Sequence, residues 1–287
     1  MIKTPLETAI ADYDRNFTAK WNRIMSDFRH SVSDNRVWIA GPSSYFFRLS
    51  GSSFAVDPQV RRISDFEKIR STLGEDTKEW SFVLITHQHD DHMCLHLMNE
   101  LKDTPIRWYI PKGCSDHLIK ESGLKEENII FTSEGDVFTE GNLTIKAFSS
   151  PHVRPEDKGE IFVQCGYEVT SPDANLLFPG DIRDYDYKEY PQLAKPDFCF
   201  SHVWAGDDAL TKEKFLPMLE KFAEFNARFD AKKYFLGHLY EIGRNEKVMW
   251  NYTHAGIAMD MLYYFAPDAI AEIARMGYSY SHNPKDF

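Results

Sequence analysis

Residues 83–96 read VLITHQHDDHMCLH, and this stretch decides how the rest of the chain is interpreted. It begins in the apolar run SFVLITH, which is typical of a buried strand, and continues into MCLHLMNELKD, which has the spacing of an amphipathic helix. His87, His89, Asp91 and His92 therefore fall on a turn that can direct alternate side chains at one point. Imidazole and carboxylate groups are ligands for zinc, iron or manganese rather than for calcium. The spacing predicts a metal site at the end of this strand.

Three further candidate ligands each end an apolar run elsewhere in the chain. His152 ends AFSSPH, Asp181 ends LLFPGD and His238 ends YFLGH. Taken singly, each also fits a structural role: His152 as a turn residue, Asp181 as a turn or helix-cap acid, and His238 as a core histidine. Because loops at strand ends commonly build functional sites, the three together would complete two metal positions.

The flanking sequence alternates between strand-like and helical patterns. Residues 37–57 look like a meander of short strands, and the following segments alternate between helix and strand in the manner of βαβ units. Further helices are expected over about 208–229 and 246–275. These patterns predict one α/β (α+β) domain over residues 36–287, in which two sheets face each other and helices cover the outside.

A helical extension is expected over residues 1–35, before this domain. Thr4, Pro5 and Glu7 supply a cap, a first-turn proline and a capping-box partner. Apolar residues then recur at three- and four-residue steps, which predicts a buried stripe. The stripe consists of Leu6, Ile10, Tyr13, Phe17, Trp21, Ile24 and Phe28. It favours core packing, with a subunit contact and therefore a homo-oligomer as the alternative.

Charge and composition restrict the expected partners. The 287 residues carry a formal net charge of -11, so nucleic acid is not an expected partner. Four scattered cysteines without a CxxC pair indicate buried thiols in a reducing compartment. Because the sequence shows neither a basic–apolar leader nor an apolar run of about 20 residues, we expect a cytoplasmic protein without membrane contact.

The four motifs that carry these residues, preceded in the chain by a fifth, FAVDP (residues 54–58), resemble the metallo-β-lactamase superfamily, whose fold is an αββα sandwich. The resemblance covers roughly residues 37–240. It implies that one metal is held by His87, His89 and His152. The second would be held by Asp91, His92 and His238, with Asp181 bridging the pair. Asp57, in FAVDP, resembles the family's strand-ending aspartate, whose implied role is to orient ligands beneath the site.

Within the superfamily, WIAGPSSYFFRLSGSSFAVDP and YFLGHLYE look most like the branch that contains L-ascorbate-6-phosphate lactonase. AGPSS stands where that branch usually has Gly-His-Ser or Gly-His-Ala. The resemblance implies a lactonase or phosphodiesterase type of hydrolase with two divalent ions. Zinc is the expected metal, and manganese and iron are the alternatives.

The expected reaction is hydrolysis of an ester, lactone, amide or phosphodiester bond in a small anionic metabolite. A hydroxide shared by two metals would be the nucleophile, with Asp91 and Asp181 as catalytic carboxylates. Substrate-binding candidates lie on loops at the same edge. They are His202, Trp204, Asp207, Arg183, Arg154 and Tyr240. Each candidate also has a structural explanation. For example, Arg183 and Arg154 would be solvated loop residues, and Tyr240 would be a core aromatic residue.

Two other functions remain open at this stage. An iron-dependent oxidoreductase of the same fold, acting on persulfides, would use a similar ligand set. A non-catalytic, metal-stabilised binding protein would also keep the ligands.

Overall fold

The computed structural model describes residues 5–31, 35–60, 63–152, 163–205, 212–240 and 249–281, with the backbone alone for 5–15 and 212. Its strands form two seven-stranded sheets. The first sheet contains β1 (Arg36–Ile39), β2 (Tyr45–Leu49), β3 (Ser52–Val56), β4 (Phe82–Leu84), β5 (Arg107–Pro111), β6 (Ile129–Thr132) and β14 (Ser279–Ser281). The second contains β7 (Val137–Glu140), β8 (Leu143–Ser149), β9 (Cys165–Thr170), β10 (Asn175–Phe178), β11 (Phe198–His202), β12 (Lys233–Gly237) and β13 (Ile270–Ile273).

Both sheets are mixed and have the same plan. The order β14-β1-β2-β3-β4-β5-β6 is antiparallel up to β3 and parallel from β3 to β6. The order β13-β12-β11-β10-β9-β8-β7 is antiparallel from β7 to β10 and parallel from β10 to β13. The carboxyl ends of β8, β10, β11 and β12 therefore lie at one edge of the second sheet.

Helices cover the outer faces of both sheets. They are α1 (Pro5–His30), α2 (Ile63–Thr77), α3 (Leu95–Glu100), α4 (Asp116–Ser122), α5 (Lys212–Ala227) and α6 (Tyr252–Phe265). Buried side chains of α1 to α3 pack on the first sheet, and those of α5 and α6 pack on the second. The predicted αββα sandwich is confirmed. None of the described helices combines the length and apolar character needed to cross a bilayer.

Alternation along the strands separates an inner core from the outer ones. On β2, Phe47 points between the sheets and Phe46 points towards the helices, as the two-residue period of a strand requires. Phe47 meets rings from the second sheet edge-on, including Phe178 at 5.3 Å and Phe200 at 5.3 Å between ring centroids. This aromatic layer joins the sheets directly below the edge at which the predicted ligands lie.

The described part of the N-terminal helix begins at Pro5, whereas Thr4 and the side chain of Glu7, which the capping pattern involves, lie outside the described part. Within its described side chains, Phe17, Trp21, Ile24 and Phe28 are buried, and the Trp21 ring meets the Phe46 ring edge-on at 5.5 Å. The side chains of Leu6, Ile10 and Tyr13 lie outside the described part. The division into residues 1–35 and 36–287 stays a prediction.

The helix expected over 246–275 is wrong at its carboxyl end. It ends at Phe265, ahead of Pro267, and the chain continues into the edge strand β13. Proline cannot donate the backbone hydrogen bond that a continuing helix requires. The strands β6 and β7 were not predicted, because their short, half-exposed sequences have little apolar alternation. All four cysteines are buried free thiols, as expected.

Candidate metal centre

Strand ends bring the seven predicted ligands into two groups. The first group is His87, His89 and His152, and the second group is Asp91, His92, Asp181 and His238. In each group, one possible ligand atom per residue lies within 4.8 Å of the others. The ligands follow β4, β8, β10 and β12, so the convergence of strand ends at one edge places them together.

The first group consists of imidazoles only. His87 Nε2 lies 3.0 Å from His89 Nδ1. His152 donates its Nδ1–H to the backbone oxygen of Asp181 at 2.9 Å, so Nε2 is its candidate ligand nitrogen. Burial lowers the pKa of His87 well below its usual value and that of His152 to about 4. The rings are therefore neutral, which is the form that binds a metal.

The second group adds two carboxylates. His238 Nε2 lies 3.1 Å from Asp91 Oδ2 and 3.1 Å from Asp181 Oδ2, and His92 Nε2 lies 3.4 Å from the same Asp181 oxygen. Burial alone would raise the pKa of both carboxyl groups, but the neighbouring histidines hold both values well below the usual range. The carboxylates in turn outweigh the burial of His92 and raise its pKa well above normal.

These donor atoms fit divalent cations. His92 Nε2 is buried and makes no hydrogen bond among the described residues. It lies between the Asp91 and Asp181 carboxylates, at 3.7 Å and 3.4 Å. A cation among these atoms would neutralise the two buried carboxylates. Without a cation, their negative charges are balanced by protons on the neighbouring histidines. The neutral imidazoles of the first group suit the same borderline transition metals.

Asp57 contacts a candidate ligand of the second group. Its Oδ2 accepts a hydrogen bond from His92 Nδ1 at 2.7 Å, while Oδ1 accepts one from the Thr86 N–H at 2.7 Å. Asp57 has a φ of 45°, in the left-handed region, where the chain turns sharply after β3. With Nδ1 held in this way, His92 presents Nε2 to the site.

Gln164 supports both groups, and the sequence did not indicate it. Its side-chain amide accepts from the Asp181 N–H at 2.9 Å and donates to the Asp181 carbonyl at 3.2 Å. It also donates to Ser150 Oγ at 3.1 Å, on the segment that leads to His152. Gly180 has a φ of +75°, and a Cβ there would lie 2.7 Å from Gln164 Cδ. The glycine before Asp181 was the only sequence signal of this close approach.

The segment AGPSS (residues 40–44) contacts two ligands through polar groups. The Pro42 carbonyl accepts from the His238 N–H at 2.6 Å, and Ser43 Oγ donates to the Asp91 carbonyl at 2.7 Å. His238 has a φ of 63° at the point where it leaves β12. This segment therefore supports the second group through a backbone carbonyl and a hydroxyl.

The predicted substrate-binding residues are distributed unevenly. Arg183 lies two residues after Asp181 in the sequence, and its backbone N–H donates to the Pro151 carbonyl at 3.0 Å. Its guanidinium lies 5.9 Å from the centre of the buried Trp204 ring, and its Nε is buried without a hydrogen-bond partner in the described part. His202 bonds to Asp181 at 2.7 Å. These three predicted residues therefore lie beside the ligands or in contact with them.

Tyr240 lies in the outer core instead, where its hydroxyl accepts from the Tyr252 N–H at 3.3 Å. Asp207 and Arg154 lie outside the described residues. His96, the histidine nearest to His92 in the following helix, is exposed on α3 and faces the Phe66 ring.

The comparison with protein families agrees with this geometry. Residues 55–239 match the family described as "Beta-lactamase superfamily domain". The chain belongs to this family. The matched region begins in β3 and extends past His238, so it contains all seven candidate ligands and Asp57. Among curated proteins, no sequence matches the chain.

Solved structures with the same fold have low sequence identity to the chain. The diiron β-hydroxylase CmlA from Streptomyces venezuelae aligns with a TM-score of 0.62 at 15% identity, over 86% of this chain and 54% of CmlA. This chain thus spans about half of that protein. Igni18, a metallo hydrolase from Ignicoccus hospitalis, aligns with a TM-score of 0.56 at 15% identity, over 86% of this chain and 98% of Igni18. The metallo-β-lactamase fold protein YhfI from Bacillus subtilis gives 0.56 at 15% identity, over 86% of this chain and 99% of YhfI.

Proposed function

We propose that this protein is a metal-dependent hydrolase that cleaves an ester, lactone, amide or phosphodiester bond in a small anionic metabolite. The observation that carries the proposal is the pairing of a three-histidine group with a carboxylate-rich group. The backbone oxygen of Asp181 supports His152 in one group, and its carboxylate belongs to the other. Asp181 therefore links two metal positions, with zinc as the proposed metal and manganese or iron as alternatives.

Two divalent ions bound here would supply a hydroxide nucleophile at neutral pH, because coordination lowers the pKa of water from about 15.7 to roughly 7. The chain's own contribution is to orient the reactants. Asp91 is held by the Ser43 hydroxyl on its backbone and by His238 on Oδ2. We assign to its carboxylate the orientation of the attacking water and the acceptance of its proton. No serine or cysteine nucleophile is needed.

Arg183 supports the choice of an anionic substrate. Its backbone is fixed between the segments that carry His152 and Asp181, and its cationic side chain is half-buried. Arginine binds carboxylate and phosphate groups through two parallel hydrogen bonds. Replacing Arg183 with lysine should raise KM for the anionic substrate and leave the bound metal unchanged. An unchanged KM for every anionic substrate would remove Arg183 from the proposed recognition site.

The lactonase-like branch sets the first substrates to test. Lactones and phosphodiesters of small anionic metabolites should be tested before other substrates. The net negative charge of the chain disfavours binding to nucleic acid and to anionic membranes. A cytoplasmic location and a homo-oligomeric assembly belong to the same proposal. Size measurement in solution and fractionation of cells would test these two points.

Elemental analysis of protein purified without added metal, and again after metal loading, tests the centre itself. We expect about two transition-metal ions per loaded chain, together with hydrolysis of at least one class in a panel of lactone, phosphodiester and thioester substrates. Fewer than about one ion per loaded chain, with His87→Ala behaving as wild type, would overturn the binuclear proposal. If Asp181→Ala lowered only thermal stability and kept every detected activity, a metal-stabilised binding protein would replace it.

An iron-dependent oxidoreductase is the second candidate. Histidine and carboxylate donors of the second group accept iron as well as zinc. Persulfide oxidation would require iron and oxygen consumption to appear together. A zinc-loaded protein that hydrolyses its substrate without consuming oxygen would exclude this candidate.

A further inference from the structure

A chain of hydrogen bonds runs from the first sheet to the carboxylate of Asp181. Tyr45, the first residue of β2, places its hydroxyl oxygen 3.1 Å from Nε2 of His202, the last residue of β11. His202 Nδ1 lies 2.7 Å from Asp181 Oδ1. Tyr45 is 1% exposed and His202 is 6% exposed, so water competes little for these bonds.

Chemistry determines the direction of each bond. Both oxygens of the Asp181 carboxylate face histidine nitrogens, which can donate hydrogen bonds to them. His202 must therefore donate from Nδ1. An imidazole that donates from Nδ1 can accept at Nε2, and the Tyr45 hydroxyl is the group that faces this nitrogen. The Tyr45 hydroxyl thus donates to His202.

The two oxygens of Asp181 consequently have different partners. Oδ1 accepts from His202, whereas Oδ2 faces His238 at 3.1 Å and His92 at 3.4 Å. Rotation of the carboxylate would break the bond to His202 and exchange the oxygen that faces the second group. A neutral donor fixed on one oxygen therefore selects the other oxygen as the ligand.

We propose that Tyr45 and His202 are positioning residues, which hold Asp181 so that Oδ2 serves the second ligand group. The local packing favours this arrangement. A Cβ on Gly237 would lie 2.3 Å from the Tyr45 hydroxyl oxygen and 3.0 Å from the Pro42 carbonyl oxygen. The glycine before the ligand His238 leaves the space that the hydroxyl occupies. The inference rests on the proposed metal centre and is independent of the proposed substrate.

The experiment compares variants that remove single links of the chain. Tyr45→Phe deletes the hydroxyl and keeps the ring, which packs against Phe200 at 4.9 Å between centroids. His202→Leu removes both bonds, whereas His202→Asn keeps an N–H that can reach Asp181. The matched control is Tyr234→Phe, since the Tyr234 hydroxyl is also buried and donates to the Asn226 carbonyl at 3.1 Å in the outer core.

Metal-free proteins are titrated with cobalt(II), and the visible absorption of the bound ion is followed against a competing chelator. We expect one of the two binding events to weaken by about 10-fold in Tyr45→Phe and by up to about 100-fold in His202→Leu. The other event and the Tyr234→Phe control should match wild type, and His202→Asn should recover part of the loss. A purely structural role would not give this selectivity or this rescue.

Two results would overturn the inference while leaving the proposed function intact. In the first, Tyr45→Phe and His202→Leu bind both cobalt ions as wild type does. In the second, folded Tyr45→Phe weakens both events equally. Wild-type protein that binds no cobalt would overturn the proposed function and this inference with it. Because Tyr45→Phe removes a single oxygen, it keeps the test valid even if His202→Leu fails to fold.

Discussion

The two ligand groups lie side by side but differ in charge. In the first group, burial lowers the pKa of His87, His89 and His152, so the group is neutral. The second group contains two buried carboxylates with lowered pKa values, next to a histidine whose pKa is raised. Without a cation, the second group depends on protons held by its histidines. It is therefore the group whose stability should depend more on metal.

The groups also differ in what supports them. In the first group, His152 donates to a backbone carbonyl, and His87 Nδ1 lies 3.1 Å from the hydroxyl oxygen of Thr86. His92 of the second group donates to the side chain of Asp57, and Asp181 accepts from the side chain of His202. Side-chain supports can be removed by single substitutions that leave the backbone intact. Asp57 and His202 therefore give the second group two side-chain supports that substitutions outside the ligands can remove.

Asp181 joins the two groups, so its replacement should have the largest effect. In Asp181→Asn, the second group loses a negative charge while the backbone bond to His152 remains. We expect kcat/KM to fall by about 100-fold or more, because several kcal/mol of charge stabilisation are lost. Metal content measured on the same sample should show the loss in the second group first. Wild-type activity in this variant would remove Asp181 from the centre.

Replacing a histidine of the first group should remove metal from that group and leave metal binding by the second group in place. His152→Ala should reduce bound metal from about two ions to about one per chain, since three ligands become two. The matched control is His96→Ala, which removes an exposed histidine of α3. Elemental analysis of both proteins provides the measurement. If His152→Ala lost both ions, the two positions would bind metal as one unit, and the contrast between the groups would be wrong.

The support beneath His92 should matter less than a ligand does. Asp57→Asn replaces the carboxylate oxygens that accept from His92 and Thr86 by one oxygen and one N–H donor. Metal affinity of the second group should fall by about 10- to 100-fold, with the first group less affected. Chelator competition on the loaded protein measures both affinities. An equal loss in both groups would indicate that Asp57 supports the whole edge of the sheet.

Metal removal should lower the stability of the folded chain rather than change its chemistry. At a free metal concentration of about 100 times Kd, binding stabilises the folded state by about 2.7 kcal/mol. Chelation should therefore lower Tm by roughly 5–10 °C for a chain of this size. The shift should be larger in His152→Ala, which keeps the carboxylate-rich group, than in Asp181→Asn. The reverse order would contradict the charge difference between the groups.

Much of the site could be predicted because its signals are local. His87, His89, Asp91 and His92 lie within six residues, and the apolar run before them marks a strand whose end they occupy. The supports lacked such a signal. Gln164 shows no pattern of its own, and Pro42 and Ser43 contribute a carbonyl and a hydroxyl whose partners are far away in the sequence. Short edge strands and the end of α6 were missed for similar reasons.

The sequence by itself determined the fold class and the identity of the candidate ligands, because strand periodicity and ligand spacing are properties of neighbouring residues. The resemblance already implied how these ligands divide into two groups, but only the tertiary structure decided that one group is neutral and the other charged, and which oxygen of Asp181 faces His238. Those facts depend on distances between side chains from β2, β4, β10, β11 and β12. They depend as well on burial, which shifts each pKa and which no local pattern encodes.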